Sequence, residues 1–384
     1  IGNVGIDLPR DFDGHYIYGK LTFQPNAAHR FTVLGGSNPT TIDNTDQYDR
    51  FVKSEAQGRQ AQGGFIASVQ WDWFMSADAF LETKALVQKL YLERSGVPCT
   101  HDSDLGYHPC EPDELENHID YETPGRLGTN NAFNSGNYVI YDFDDRWRTS
   151  LKTSFSLLQL DFFGTHDIKV GADSSIMIWD KTFGYTGNLY YYDINWISYN
   201  PDTLQNYYRI ESSSGFHYVT TAEDISLFLQ DVYKPIENLT FRYGFRYDRY
   251  QFRNDVGDPI LSVGLLGPRF SAIWDPWADA KTKFVGSVGR FADLGRLAVA
   301  DYLSRSGIGY KLFLGEPWDG YTSSATNDYL YEPSENTNTI MDGTIAPRAD
   351  AFSVGAEREI VPDVAAQVYF TGKYTKYLYA FDEL

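Results

Sequence analysis

The sequence predicts an all-β fold, in which antiparallel strands form the wall of a transmembrane β-barrel. Three observations predict it: segments in which apolar and polar residues alternate, short turns that alternate with long connections, and many aromatic residues. Tyrosine, phenylalanine and tryptophan number 29, 25 and 8, which together make 16% of the chain. Aromatic residues are enriched at both interfaces of a membrane protein, so this composition fits a barrel with two aromatic girdles.

The clearest alternating segment is residues 239–248, with the sequence LTFRYGFRYD. A period of two places alternate residues on opposite faces of a β-strand. Ten residues also match the roughly 9–11 that a tilted strand needs to cross the apolar core of a bilayer. We expect Arg242 and Arg246 to face the lumen of the barrel. The residues expected to face lipid are Phe241, Tyr243, Phe245 and Tyr247.

The same unit recurs along the whole chain. Each unit consists of two alternating segments joined by a short turn. The paired segments are 16–24 with 30–35, 63–73 with 77–93, 148–162 with 167–179, 225–233 with 239–248, 269–274 with 282–291, and 351–360 with 364–377. This recurrence predicts about twelve strands that form six hairpins.

Five long connections separate the hairpins. They lie near residues 36–61, 94–146, 180–219, 249–268 and 292–348. Structureless loops of more than about 12–15 residues are uncommon in soluble domains. Short turns on one side and long loops on the other are typical of bacterial outer-membrane barrels. We therefore expect periplasmic turns and extracellular loops, with a soluble all-β binding protein as an alternative.

The composition excludes several classes of function. A net charge of −20 argues against nucleic-acid binding, because phosphate contacts require clusters of lysine and arginine. No run of about 18 apolar residues predicts a transmembrane helix. The nucleophile motif GxSxG and the zinc motif HExxH are both absent, and no dinucleotide fingerprint is present. We therefore predict no catalytic residue, no cofactor and no enzymatic activity.

The only two cysteines, Cys99 and Cys110, both lie in the connection at 94–146. A lone pair at this spacing, in a chain at the cell surface, predicts a disulfide bond. The alternative is a metal site that also uses His101 and His108, but this spacing lacks the CxxC pairs of structural zinc sites. No metal site is predicted, although acidic loops such as residues 142–145 leave calcium binding open.

Several segments resemble the barrel of TonB-dependent outer-membrane receptors. Residues 225–231, ISLFLQD, and then residues 239–248 resemble the family's barrel signature. Residues 268–291 resemble the hairpin that follows it. Residues 18–23, YGKLTF, and 346–350, APRAD, resemble the large Oar-like branch. The resemblance spans most of the chain and is weakest in the long connections.

The resemblance implies a barrel of 22 strands, a plug inside it and a TonB box before the plug. Residues 1–384 would then be a partial outer-membrane barrel domain, with the plug and the TonB box outside this chain. The implied partners are the lipid bilayer with its lipopolysaccharide, TonB acting through the plug, and an unidentified ligand. The implied function is active uptake of a large or scarce ligand, and the alternative is a passive porin-like barrel or a surface adhesin.

Two groups of residues are candidates for ligand binding. Tyr190, Tyr191, Tyr192 and Trp196 lie in the connection at 180–219, near the expected outer rim. They form either an aromatic platform for ligand or part of the upper aromatic girdle. Arg242 and Arg246 form either contacts with carboxylates of the plug or part of a ligand path, because a buried charge requires a partner.

Overall fold

The structure is a computed structural model. The described residues are 10–45, 52, 54–99, 117–127, 134, 136–193, 207–212, 215–292, 310–315, 329–331, 340 and 343–377. Within these ranges the helical elements are two short 3-10 turns, Ser54–Ala56 and Thr186–Asn188. No helix of the described residues is long and apolar enough to span a bilayer.

Most of the described chain forms one antiparallel sheet of 14 strands. Its strands are β1 (Phe12–Gly14), β2 (Ile17–Asn26), β3 (His29–Ser37), β4 (Thr40–Asp43), β5 (Gly58–Phe74), β6 (Ala79–Gly96), β8 (Ile140–Asp161), β9 (Thr165–Tyr185), β12 (Phe216–Ile236), β13 (Leu239–Arg253), β14 (Pro259–Trp274), β15 (Thr282–Ala292), β18 (Arg348–Val361) and β19 (Val364–Lys376). All six predicted hairpins are confirmed: β2–β3, β5–β6, β8–β9, β12–β13, β14–β15 and β18–β19.

A second, five-stranded sheet is built from the long connections. Its strands are β7 (Gly125–Leu127), β10 (Leu189–Asp193), β11 (Tyr207–Ser212), β16 (Tyr310–Gly315) and β17 (Tyr329–Tyr331). These strands come from three different predicted connections, and they pair in the order β17-β16-β11-β10-β7. The connections are therefore joined to one another by backbone hydrogen bonds, which the sequence did not predict.

The wall strands are longer than expected. β8, β9 and β12 have 22, 21 and 21 residues, about twice the roughly 9–11 that a tilted strand needs to span the bilayer. The predicted long connection at 249–268 is wrong, because β13 continues to Arg253 and β14 already begins at Pro259. A tight turn joins them, and Asn254 N donates a hydrogen bond to Asp258 O at 3.1 Å.

The polarity of the two faces is inverted in the extensions of β13 and β14. Along the membrane part of β13, the side chains of Tyr243, Phe245 and Tyr247 are exposed on the apolar face. Further along, the apolar residues lie on the other face, where Tyr250 and fully buried Phe252 contribute to a core. The remaining buried members of this core are Ala222, Leu261, Val263, Leu265 and Ala346. The alternation therefore continues, but the apolar side chains now point inward, as they do in proteins that are surrounded by water.

The sheet of the described residues is open. At one end of the sheet β1 pairs only with β4 and β2 only with β3, and at the other end β19 pairs only with β18, so each end presents a free edge. In hydrocarbon, unpaired backbone groups each cost several kcal/mol, since no water can bind them. The two free edges therefore require further pairing within a membrane.

Candidate functional site

The candidate site lies on the polar face of the wall, opposite the exposed aromatic side chains. Arg246 is its central residue. Its Nε donates to Asp248 Oδ1 at 2.6 Å, and its Nη1 donates to Asp173 Oδ2 at 2.8 Å. Ser226 Oγ also donates to Asp248 Oδ1, at 2.6 Å, and Lys152 Nζ lies 4.0 Å from Asp173 Oδ1. This network connects β8, β9, β12 and β13 across the polar face.

Arg242 lies four residues before Arg246 on β13. Both side chains are on the same face, but their environments differ. The side chain of Arg242 is exposed and forms no ion pair or hydrogen bond with any described residue. Together with Arg269 and Lys373 it lines a cavity of about 780 Å³ between β8 and β19. Arg269 stacks over the ring of Phe291, with its Cζ 4.5 Å from the centroid.

The cavity has few free carboxylates. Asp173 and Asp248 are bound by Arg246. Asp231 contributes to the lining, but it lies opposite Tyr243 in the register of β12 and β13, so its side chain is on the aromatic face. There its Oδ2 accepts a hydrogen bond from Tyr243 Oη at 2.7 Å and contacts His166 Nδ1 at 2.6 Å. The positive charge of this face is therefore only partly neutralised by the described part of the wall.

The other candidates from the sequence lie elsewhere. Residues 190–192 belong to β10, which pairs with β11 and β7 in the second sheet and not in the wall. Trp196 lies outside the described residues, and so does Cys110. Cys99 is buried, with 1% of its surface exposed. The disulfide bond and the aromatic platform both stay predictions.

The acidic partners of Arg246 were not predicted from the sequence. Asp248 could have been found, since it lies two positions after Arg246 on the same face of one strand. Asp173 lies on β9 and reaches Arg246 across β12, and such a pairing depends on the register of three strands. The alternating pattern of one strand contains no information about that register.

Acidic residues at the outer end of β8 are also bound by arginines. Asp142 accepts a hydrogen bond from Arg94 Nη2 at 2.5 Å. Asp144 binds Arg146 through two hydrogen bonds, of 2.8 and 2.6 Å. Arg146 also stacks over Trp179, with its Cζ 4.5 Å from the ring centroid. These carboxylates, which the sequence left open as calcium ligands, bind arginines in this structure.

The long antiparallel strands, the exposed apolar face and the charged opposite face together define the wall of an outer-membrane β-barrel. A family model described as TonB dependent receptor-like, beta-barrel, matches residues 18–357. The chain therefore belongs to this family, and the resemblance found in its sequence is confirmed. Proteins of the family reside in the outer membrane, which is the location of this chain.

A curated relative is the TonB-dependent transporter Oar of Myxococcus xanthus. It is 24% identical over 276 residues, which cover 60% of this chain and 25% of that protein. The chain thus spans only about a quarter of the length of this relative. The expected similarity to the Oar-like branch is confirmed.

Solved structures show the same fold at low sequence identity. The outer membrane transporter YddB from Escherichia coli has a TM-score of 0.60 and 13% identity, covering 94% of this chain and 40% of that chain. The siderophore receptor PiuA from Acinetobacter baumannii has a TM-score of 0.52 and 12% identity, covering 97% of this chain and 58% of that chain. Both contain more chain than is present here.

Proposed function

We propose that this chain forms part of the wall of a TonB-dependent receptor that actively takes up a ligand across the outer membrane. The observation that carries the proposal is the set of cations on the polar face, Arg242, Arg269 and Lys373. They line one cavity, while the nearby carboxylates Asp173 and Asp248 are bound by Arg246. A plug that filled the lumen would remove water from these charges, which would then require opposite charges, and an acidic surface on the plug would provide them.

The plug contact also fits the energetics of uptake. The outer membrane holds neither ATP nor a potential, so energy has to arrive through TonB from the inner membrane. Contacts between the wall and a plug would keep the barrel closed until TonB acts. The proposed ligand is large or scarce. The proposed uptake includes no enzymatic step.

Transport can be tested with a complex medium, in which the ligand need not be named in advance. Mass spectrometry would compare the solutes that disappear from the medium of cells with the full-length gene and of cells without it, each with and without TonB. We expect one or more solutes to be depleted only when both the gene and TonB are present. Depletion that needs the gene but not TonB would instead support the passive porin-like barrel.

The plug contact is tested by the double substitution Arg242→Gln and Arg269→Gln in the full-length protein. We expect a partly released plug and therefore greater sensitivity of the cells to vancomycin, which is too large to cross an intact outer membrane. Arg249→Gln is the control, because Arg249 lies on β13 but on the opposite face. Unchanged sensitivity in the double variant would contradict the plug contact.

A further inference from the structure

An aromatic pocket lies at the outer end of the β8–β9 hairpin. Tyr121, Tyr141, Phe143, Tyr185 and Asn188 line a cavity of about 320 Å³. Tyr141 and Phe143 are near the start of the 22-residue strand β8, far from the periplasmic turn at its other end. Because a strand of roughly 9–11 residues already spans the apolar core, the pocket lies outside the membrane on the extracellular side.

The rings of the pocket form a corner. Tyr141 and Phe143 lie side by side, with centroids 6.0 Å apart and planes at 26°. Tyr121 stands nearly perpendicular to both, at 87° and 5.7 Å from Tyr141 and at 72° and 6.3 Å from Phe143. Two aromatic surfaces thus meet at about a right angle, which is the arrangement of two walls of a cage.

A carboxylate stands beside this corner. Glu93 on β6 lies directly opposite Phe143 in the register of β6 and β8, so both side chains share one face. Glu93 is exposed and forms no ion pair with any described residue. Burial raises the pKa of the Tyr121 phenol, the charge of Glu93 raises it further, and a hydrogen bond with Ser95 acts in the opposite direction. The negative field of Glu93 therefore reaches the pocket.

The pocket is held in place by hydrogen bonds. Asn137, which is 3% exposed, donates through Nδ2 to Asp120 O at 2.8 Å and to Thr123 O at 3.0 Å. The backbone N of Gly187 donates to Tyr121 O at 2.7 Å. The segment that carries Tyr121 is thus fixed to the turn after β9, so a ligand would meet a preformed site and lose little free energy in ordering it.

We propose that this pocket binds a small organic cation that carries a methylated ammonium group. Aromatic faces attract such cations through their quadrupoles, and aromatic cages recognise quaternary ammonium groups. Glu93 supplies the opposite charge, and the net charge of −20 raises the local concentration of cations. The site is separate from the polar face of the wall, so this proposal does not depend on transport.

The probe for this site is choline, measured by calorimetry on the full-length protein in a polyoxyethylene detergent. The comparison compound is 3,3-dimethylbutan-1-ol, which has the same shape but no charge. We expect saturable binding of choline and binding at least about ten-fold weaker for the neutral compound, because both Glu93 and the rings act on the charge. Equal affinities would overturn the proposal. Saturable binding of N-acetylglucosamine without binding of choline would identify a saccharide site and overturn it as well.

Two substitutions locate the binding. Phe143→Leu removes a ring of the corner, and Glu93→Gln removes the charge with almost no change of shape. We expect choline binding to weaken about ten-fold in the first and to lose most of its preference over the neutral compound in the second. The matched controls are Tyr374→Leu, an exposed aromatic residue on β19, and Glu237→Gln in a periplasmic turn. A Glu93→Gln variant that folds and keeps the full preference for choline would refute the site.

Discussion

Arg242 and Arg246 show how two identical side chains on one face of one strand acquire different roles. Arg246 is bound by Asp173 and Asp248, and its side chain is 27% exposed. Arg242 has no such partner among the described residues and lines the open cavity. Arg246 therefore stabilises the wall, whereas Arg242 is the arginine that we propose contacts a plug or a ligand.

This difference gives a matched pair of variants. Arg246→Gln leaves two carboxylates without their cation, and we expect the free energy of unfolding to fall by about 1–3 kcal/mol. Arg242→Gln should change it by less than about 1 kcal/mol, because Arg242 binds no carboxylate of the described wall and a single solvent-accessible contact with a plug contributes little. Urea unfolding of the full-length protein in lipid vesicles, followed by tryptophan fluorescence, measures both. Equal losses would contradict the assigned roles.

Asp120 makes the segment beside the aromatic pocket sensitive to acid. Burial would raise the pKa of its carboxyl group, but hydrogen bonds from Thr123 and from the backbone N–H of Glu122 outweigh burial and hold the pKa below 3.8. A lowered pKa means that the carboxylate stabilises the folded segment above pH 3.8 and that this stabilisation is lost as the pH falls through the folded-state pKa.

We therefore expect pepsin to cleave the segment at 117–124 increasingly fast as the pH is lowered from about 4 to about 2. Asp120→Ala should abolish this dependence and leave the segment cleavable already at the upper end of the range. Mass spectrometry of the released peptides measures the rates, corrected for the activity of pepsin on an unfolded substrate. A wild-type segment whose corrected rate is independent of pH would argue against the role of Asp120.

At the scale of the element, strand β13 offers a test of which face contacts lipid. Phe245 is 49% exposed on the apolar face, and Gln230 lies at nearly the same depth on the polar face of neighbouring β12. A charged residue on the lipid face near the midplane costs about 2–4 kcal/mol. Phe245→Arg should thus destabilise the full-length barrel by about this amount, whereas Gln230→Arg should cost far less. Heat-modified migration in electrophoresis compares them, and equal tolerance would reject the assignment of the faces.

The alternating pattern predicts wall strands well, because it depends only on residues that are neighbours within one strand. All six hairpins were predicted from runs of alternating residues joined by short turns. The prediction of a long connection at 249–268 was wrong, because strands β13 and β14 continue there with their apolar residues on the inner face. Beyond the membrane the apolar residues Phe252, Leu261 and Val263 turn inward, so the alternation continues with the opposite sense.

The second sheet could not be predicted from single segments. β10 pairs with β11 within one connection, but β11 also pairs with β16, about a hundred residues later in the chain. Such contacts depend on where the wall places the ends of distant connections. The same holds for the aromatic pocket, whose residues come from β8, from the end of β9 with the 3-10 turn that follows it, and from the segment at 117–124. No sequence motif marks these residues, and the fold brings their rings together.

At the scale of the whole molecule, the two free edges of the wall determine whether this chain can form a closed barrel by itself. β2 and β19 each have one neighbour in the described structure, and they lie at opposite ends of the sheet. The relative from Myxococcus xanthus and the transporter YddB both extend well beyond the part that this chain covers. We therefore propose that further strands of the same intact protein pair with these two edges, and that a plug of that protein lies inside the barrel.

This proposal predicts a clear difference between the chain and the intact protein. Residues 1–384 expressed alone should not form a closed, protease-resistant barrel, because each unpaired N–H or C=O at an edge costs several kcal/mol in hydrocarbon. The full-length protein should form one, and its electrophoretic migration should shift on heating. The two proteins would be refolded into the same lipid vesicles and treated with trypsin from outside. A stable barrel closed by residues 1–384 alone would show that β2 and β19 pair with each other, and the proposed partial wall would then be wrong.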